Sequence, residues 1–160
     1  MKFRGLLLCI VVASFCTYTE AQTSGKVVKV KAEQEVYKVS KGGSVPAAVV
    51  IDIDPGYHIN SNRPTDKFLI ATALKLAPTA GLAASPVRYP KAKMEKFSFS
   101  DKPLSVYEGK AVLRFTARAL PAAAVGNHTL NGKVTIQACN NEVCLRPQTV
   151  DVSVRIEVTN

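Results

Sequence analysis

The stretch QACNNEVC, residues 137–144, holds two cysteines separated by four residues, and they are the only cysteines beyond residue 16. Thiols at that spacing can do three kinds of chemistry. They can close a structural disulfide, give two ligands to a metal, or cycle between dithiol and disulfide and so carry electron pairs. As a staple the pair gains little. In the chain-entropy model, closing so small a loop contributes roughly 2 kcal/mol, against almost 5 for a loop of about 100 residues. A bridge that served stability alone would do better between distant strands, as it does between the sheets of antibody domains. A metal site needs more ligands. His58 and His128 could complete a tetrahedral zinc centre, but both are remote in sequence and neither sits at a paired ligand spacing. The structural bridge and the redox switch both stay open on the residues alone, with the metal site behind them.

No other motif competes for chemistry. The chain has no Gly-x-Ser-x-Gly, no HExxH and no P-loop, and nothing in it calls for a cofactor. NHT, residues 127–129, matches a glycosylation sequon, but three-residue matches are frequent by chance.

The elements that must position the pair read as strands. In VDVSVRIEV, residues 150–158, Val150, Val152, Val154, Ile156 and Val158 alternate strictly with polar residues, which puts one face on a core and the other in water. In residues 110–119, Ala111, Leu113, Phe115 and Ala117 share one face. In residues 132–138, Val134, Ile136 and Ala138 do the same. Residues 26–32, 35–40, 45–53 and 68–77 are further strand candidates, although residues 72–78 are also compatible with a helical turn. KGG, DPG, APTAG and VGN separate these segments as turn signals. Seven or so short strands predict an all-β, antiparallel β-sandwich. Residues 85–109 break the pattern and read as one long irregular connection, rich in Pro, Lys and aromatics. KVTIQAC runs into Cys139 and CLRPQTVDVSV runs out of Cys144, so the NNEV link predicts a β-hairpin with the cysteines opposed at its mouth. Opposed residues there have Cα atoms about 4.5–5.5 Å apart, a span that a disulfide accepts.

The N-terminus decides the compartment. Lys2 and Arg4 precede an apolar run over residues 6–15, then small and polar residues, with Thr19 and Ala21 at the small positions of a cleavage site. The run is about ten residues, where a membrane-spanning helix needs roughly 20. Residues 1–21 are read as a signal peptide and residues 22–160 as one mature domain. A lipid anchor at Cys16 is the competing reading, opposed by the bulky Phe15 before it. Export removes Cys9 and Cys16 and brings the remaining pair into an oxidising environment. Losing Lys2, Arg4 and Glu20 leaves 19 basic and 11 acidic residues, a net charge of +8. Such an excess attracts anionic surfaces or acidic partners, and it also serves plain solubility. The basic residues are scattered, which argues against nucleic acid. Later apolar runs such as VPAAVVI, residues 45–51, are strand-sized, so no stable membrane insertion is expected.

With the pair placed on a hairpin, VTIQACNNEVCLRPQTVDVSV resembles the N-terminal periplasmic domain of DsbD-type thiol:disulfide interchange proteins. That family has a strand ending in Gln-small-Cys, a brief loop, a second Cys and a nearby Pro. DPGYHINSNRPTDKFLIATALKL, residues 54–76, is similar to its Gly-aromatic segment, and VYEGKAVLRF, residues 106–115, to its aromatic-Gly-Lys stretch. The match covers most of residues 45–155. The resemblance implies an immunoglobulin-like sandwich in which Cys139 and Cys144 form the redox-active disulfide. It also implies an aromatic near the pair at Tyr57, and a cap where Leu104–Tyr107 lie. The expected cover for sulfur is Tyr107, Phe99 or Phe97, from a loop over residues 97–109. The cap of well-known members is acidic and aromatic, whereas PLSVYEG offers only Tyr107 and Glu108. The implied activity is that of a protein-disulfide reductase relay in the periplasm. Its implied partners are thioredoxin-like periplasmic proteins and a membrane electron donor, separate here because the family's transmembrane and thioredoxin-like domains do not follow Asn160. A monomer is expected. Arg146 and the positive charge favour the thiolate and Glu142 opposes it; the more exposed cysteine is the expected attacker. The rival class is a non-catalytic β-sandwich binding module with Cys139–Cys144 as an inert clip.

Overall fold

The computed structural model describes residues 23–160. The expected signal peptide, with Cys9, Cys16 and the Ala21 cleavage site, lies outside the described residues. Two four-stranded sheets face each other. The first contains β1 (Val28–Ala32), β3 (Ser44–Ile53), β9 (Lys110–Ala119) and β6 (Leu82–Ala84), in the order β1-β3-β9-β6. The second contains β2 (Tyr37–Ser40), β12 (Gln148–Thr159), β10 (Gly126–Ile136) and β5 (Ala73–Leu76), in the order β2-β12-β10-β5. The architecture is an immunoglobulin-like β-sandwich, and its helical content among the described residues is one 3-10 turn, Ser24–Lys26.

The alternating sequences account for the core. Val152, Val154, Ile156 and Val158 from β12 meet Leu130, Val134 and Ile136 from β10 on one side of the core, and Val49, Ile51, Leu113 and Phe115 line the other. Each such side chain contributes about 1.5–3 kcal/mol on burial. Val150, at the end of the stripe, is half-buried against the same cluster. Asp151 and Arg155 face outward, as their phase requires. Residues 73–76, compatible with a helical turn by sequence, extend along β10 as a strand instead. One pairing departs from the antiparallel expectation: β2 runs parallel to β12, with Tyr37 opposite Ile156. The Tyr37 hydroxyl then reaches across to β3, donating to the Ala48 carbonyl and accepting from the Ala48 amide, at 3.2 and 3.1 Å.

A third sheet closes one end of the sandwich, and it carries the cysteines. It contains β11 (Ala138–Cys139), β4 (His58–Asn60), β8 (Leu104–Glu108) and β7 (Lys93–Glu95), in the order β11-β4-β8-β7. Three of its strands are continuations of sandwich strands, turned aside by short links. β3 passes into β4 through the DPG turn, where Gly56 takes φ +81°. β8 passes into β9 through Gly109 alone, at φ +62°, a conformation that costs a β-carbon dearly and glycine little. β10 passes into β11 through Gln137. The supposed irregular stretch, residues 85–109, therefore supplies two strands as well as loops. Its Pro and Lys content suits the edge strand β7, all three residues of which are exposed.

Candidate functional site

The hairpin leading to the cysteines forms as its sequence predicts, with one irregularity. β10 and β12 pair over eleven residues, ending at Ile136 opposite Gln148. The next cross-strand pair is Cys139 with Cys144. Two residues on one arm, Gln137 and Ala138, thus face three on the other, Leu145, Arg146 and Pro147, and the extra residue falls in the segment containing Pro147, which has no amide proton to give. Ser24 fills the resulting gap. Its hydroxyl accepts from the Ala138 amide at 2.9 Å and donates to the Arg146 carbonyl at 2.7 Å. Gly25 donates to the Gln148 side chain at 2.7 Å. The segment ahead of β1 therefore ties both arms together just behind the sulfur atoms.

Cys139 and Cys144 are joined, S–S 2.05 Å, with Cα atoms 3.9 Å apart, closer than the span expected for an open hairpin mouth. The link between them folds on itself. The Asn140 side-chain oxygen accepts from the amides of Glu142 and Val143, at 2.9 and 2.8 Å, and the Asn140 amide donates to the Val143 carbonyl at 3.0 Å. The two cysteines see different surroundings. Cys139 has no exposed surface, whereas Cys144 is half-buried. The glutamine of QAC has a mechanical part: Gln137 Oε1 accepts from Asn60 Nδ2 and from the Ile70 amide, at 3.1 and 3.0 Å, and so pins the 61–72 loop to the site.

Strand phase sorts the expected cap residues. Cys139 pairs with His58, and His58 pairs with Glu108, so these three stand on one face of the third sheet. Ala138, Ile59 and Tyr107 stand on the other and belong to the main core. Tyr107 is therefore not a cover for sulfur; its hydroxyl donates to Asn62 Oδ1 at 2.6 Å and accepts from the Asn62 amide at 3.3 Å, and burial pushes its pKa up against the effect of that amide. Leu104–Glu108 form a strand two places away from β11 in the sheet, not a cap loop. Tyr57, one residue before His58, is half-buried and packs on the main core, away from the cysteines' face. The loop that does reach the pair is the segment just before, residues 96–100. Ser98 Oγ donates to the Asn141 carbonyl at 2.6 Å, inside the cysteine turn. Phe97 is buried and lies flat on the His58 ring, with centroids 3.9 Å apart and planes at 16°. Phe99 stacks outside Phe97 at 5.5 Å and is 38% exposed. Phe97 also joins Leu104, Val106 and Leu69 in a small second core over this face.

His58 is the residue that sequence reasoning passed over. A lone histidine reads as a surface or core-edge residue, yet His58 is 2% exposed, and its Nε2 is buried without a hydrogen-bond partner. The available signal was its place in the GYHIN stretch, one position from Tyr57 and of opposite phase. The zinc arrangement does not assemble. Both sulfurs are in the disulfide, His128 bonds the Ala124 carbonyl at 2.7 Å, and among the described residues no cluster of three or more His, Cys, Asp or Glu could hold a metal ion.

Burial holds the His58 imidazole below its ordinary pKa, while Glu108 pulls the other way. In the unfolded chain this histidine takes its proton near pH 6.5; in the folded domain it does so only at lower pH. The unfolded state binds more protons in that window, so stability rises with pH through it and is fully present above it. The urea midpoint of the oxidised domain is expected to fall as pH drops below about 6.5. In His58→Phe, whose ring can still stack on Phe97, that part of the slope should vanish. Parallel pH profiles for the two proteins would contradict the assignment.

Comparison with known proteins bears on these features. The family model described as "Thiol:disulfide interchange protein DsbD, N-terminal" matches residues 26–156. No curated protein matches the sequence. Among solved structures, the N-terminal periplasmic domain of ScsB from Proteus mirabilis aligns at TM-score 0.51 and 17% identity, over 81% of this chain and 45% of that one. The chain thus spans under half the length of that structure, and the likeness is one of fold. A major pilin subunit of Bacillus cereus aligns at TM-score 0.46 and 9% identity, over 83% of this chain and 41% of that one.

Proposed function

The chain belongs to the family of N-terminal domains of thiol:disulfide interchange protein DsbD, and from that membership we propose that it passes electron pairs between proteins by cycling Cys139 and Cys144 between dithiol and disulfide. The observation that carries this reading is the disulfide itself. It lies inside the matched span, closes a small turn at one end of the fold, and joins a fully buried cysteine to one that is half-buried. It does not tie the two sheets together, so the sandwich core stands without it. The Phe97–Phe99 segment lies over the cysteine turn and serves as the cap.

Exchange then follows the asymmetry of the pair. In the dithiol form Cys144, as thiolate, attacks a partner's disulfide. A mixed disulfide forms and the first partner sulfur leaves. Cys139 attacks Cys144 Sγ, the domain's own disulfide closes, and the second partner sulfur leaves as thiolate. The partner has gained two electrons and the domain has lost two. Reduction runs the same steps backward with a donor dithiol. The proposed partners are thioredoxin-like periplasmic proteins on one side and a membrane electron donor on the other. The proposed location is the periplasm; among the described residues no helix is long and apolar enough to cross a membrane.

Redox titration of the mature domain against glutathione and thioredoxin tests the reading. The disulfide is expected to open within the range of thioredoxin-like proteins, about −270 to −120 mV, with the far-UV spectrum unchanged. Loss of the bridge should cost about 2 kcal/mol of a typical 5–15. A potential below about −300 mV, with no mixed disulfide formed, would leave an inert clip in a binding module.

A further inference from the structure

When Cys139 resolves a mixed disulfide, it must first lose its proton. Cys139 has no exposed surface, so water cannot take that proton directly, and burial in apolar surroundings raises a thiol's pKa. The sheet supplies one titratable neighbour. His58 is the direct cross-strand partner of Cys139. Side chains so paired share a face, with Cβ atoms about 4.5–5.5 Å apart. The Phe97 ring lies flat on the imidazole and limits its rotation. Its Nε2 is buried and has no partner. Buried polar atoms are rarely left so, and the structure shows the disulfide, a state in which Cys139 carries no proton. We propose that His58 is the proton carrier of Cys139: Nε2 takes the thiol proton as that sulfur attacks Cys144, and returns it when that sulfur leaves.

The proposal rests on the exchange reading above and assigns a residue to its resolving step. In that step the Cys139 S–H bond breaks and its proton goes to Nε2. The electron pair left on sulfur forms the Cys139–Cys144 bond, and the Cys144–partner bond breaks with its pair on the partner sulfur. The imidazolium then gives its proton to that thiolate or to solvent. Other charged groups around the ring are engaged elsewhere or exposed to solvent. Glu108, on β8, faces His58 across the ladder, and Lys93 on β7 holds its carboxylate at 2.7 Å. Glu95, on β7, is exposed. Beside Phe97, Lys96 is turned to the carbonyls of Ser100 and Asp101. A histidine whose pKa burial keeps low is neutral at pH 7 and free to accept. Asn60, two residues along the same strand, also buries an unpartnered oxygen and offers no proton-accepting nitrogen there.

The test uses a small oxidant, so that it reads the chemistry of the pair apart from any protein partner. The domain is reduced with excess dithiothreitol, desalted and given glutathione disulfide. Acid quenching and mass spectrometry then follow the glutathionylated intermediate. In His58→Gln at pH 7 that intermediate is expected to persist at least about tenfold longer than in wild type, while it forms at a rate within about twofold. The gap should close as pH rises and hydroxide replaces the base. Equal lifetimes at every pH, or both steps slowed alike, would overturn the proposal. Should His58→Gln fail to fold, the wild type decides. The His58 Nε2 nitrogen resonance is expected to shift between disulfide and dithiol forms, and an unchanged resonance would overturn the role. A pair that reoxidises with a His58-dependent lifetime but fails the thioredoxin titration would sink the exchange function and leave this chemistry standing. The reverse result would sink the proton carrier alone.

Discussion

Cys139→Ser is expected to trap a mixed disulfide with a thioredoxin-like partner, and Cys144→Ser is expected to trap almost none. The two variants each keep one thiol, so chemistry alone would make them equal. Their surroundings do not. An attacking sulfur must line up with both sulfurs of the disulfide it breaks, which needs open space on its far side. Cys144 is half-buried at the turn, and the residue before it, Val143, is 54% exposed. Cys139 has no exposed surface; its strand is paired to β4, and its turn is held by Ser98. To reach a partner, Cys139 must wait for local opening of the turn and cap. An opening free energy of about 3 kcal/mol, modest for a surface segment, slows capture about 100-fold. Gel-shift trapping under one set of conditions, with initial rates for both variants, measures the ratio. Equal rates, or faster trapping through Cys139, would reverse the assigned order of attack.

Much of the frame was legible from the chain, and the reasons can be named. The strict alternation in residues 150–158 has one burial solution, and Val152, Val154 and Ile156 occupy it. The NNEV link between two alternating runs set the hairpin, and the disulfide formed across it. What escaped was set by partners remote in sequence. His58 and Cys139 meet only because β4 and β11 pair in a third sheet, and no local pattern announces that sheet. The same blindness misplaced the cap. Phe97, Phe99 and Tyr107 all lie in one aromatic stretch, but Tyr107 falls in β8 at the phase that faces the main core, while Phe97 sits ahead of that strand and folds over its other face. Ser24 was equally silent. A serine before a strand gives no hint of a gap in a hairpin more than a hundred residues away, yet it is fully buried there and bonded to both arms.

The phenyl ring of Phe97 does two jobs, so truncating it should have the largest effect outside the cysteines. It anchors the small second core with Leu104 and Val106, and it covers the buried imidazole beside Cys139. Phe97→Ala is expected to destabilise the oxidised domain by about 3–5 kcal/mol, read from urea unfolding. It should also speed reduction by glutathione about tenfold or more, because the segment that lies across the cysteine turn loses its anchor. Phe99→Ala should do much less on both counts, since that ring is partly in water already. A variant that simply loosens the fold could imitate the shielding effect, and Phe97→Leu separates the two. Leucine keeps most of the apolar volume, for a cost under about 1.5 kcal/mol, but it removes the flat ring from His58. If shielding comes from the filled core, Phe97→Leu reacts with glutathione nearly as slowly as wild type; if it comes from the stacked ring, Phe97→Leu reacts nearly as fast as Phe97→Ala at much smaller loss of stability. Glutathione rates unchanged in Phe97→Ala would mean that the segment over residues 96–100 is an ordinary connection and that the cysteine turn has no cap.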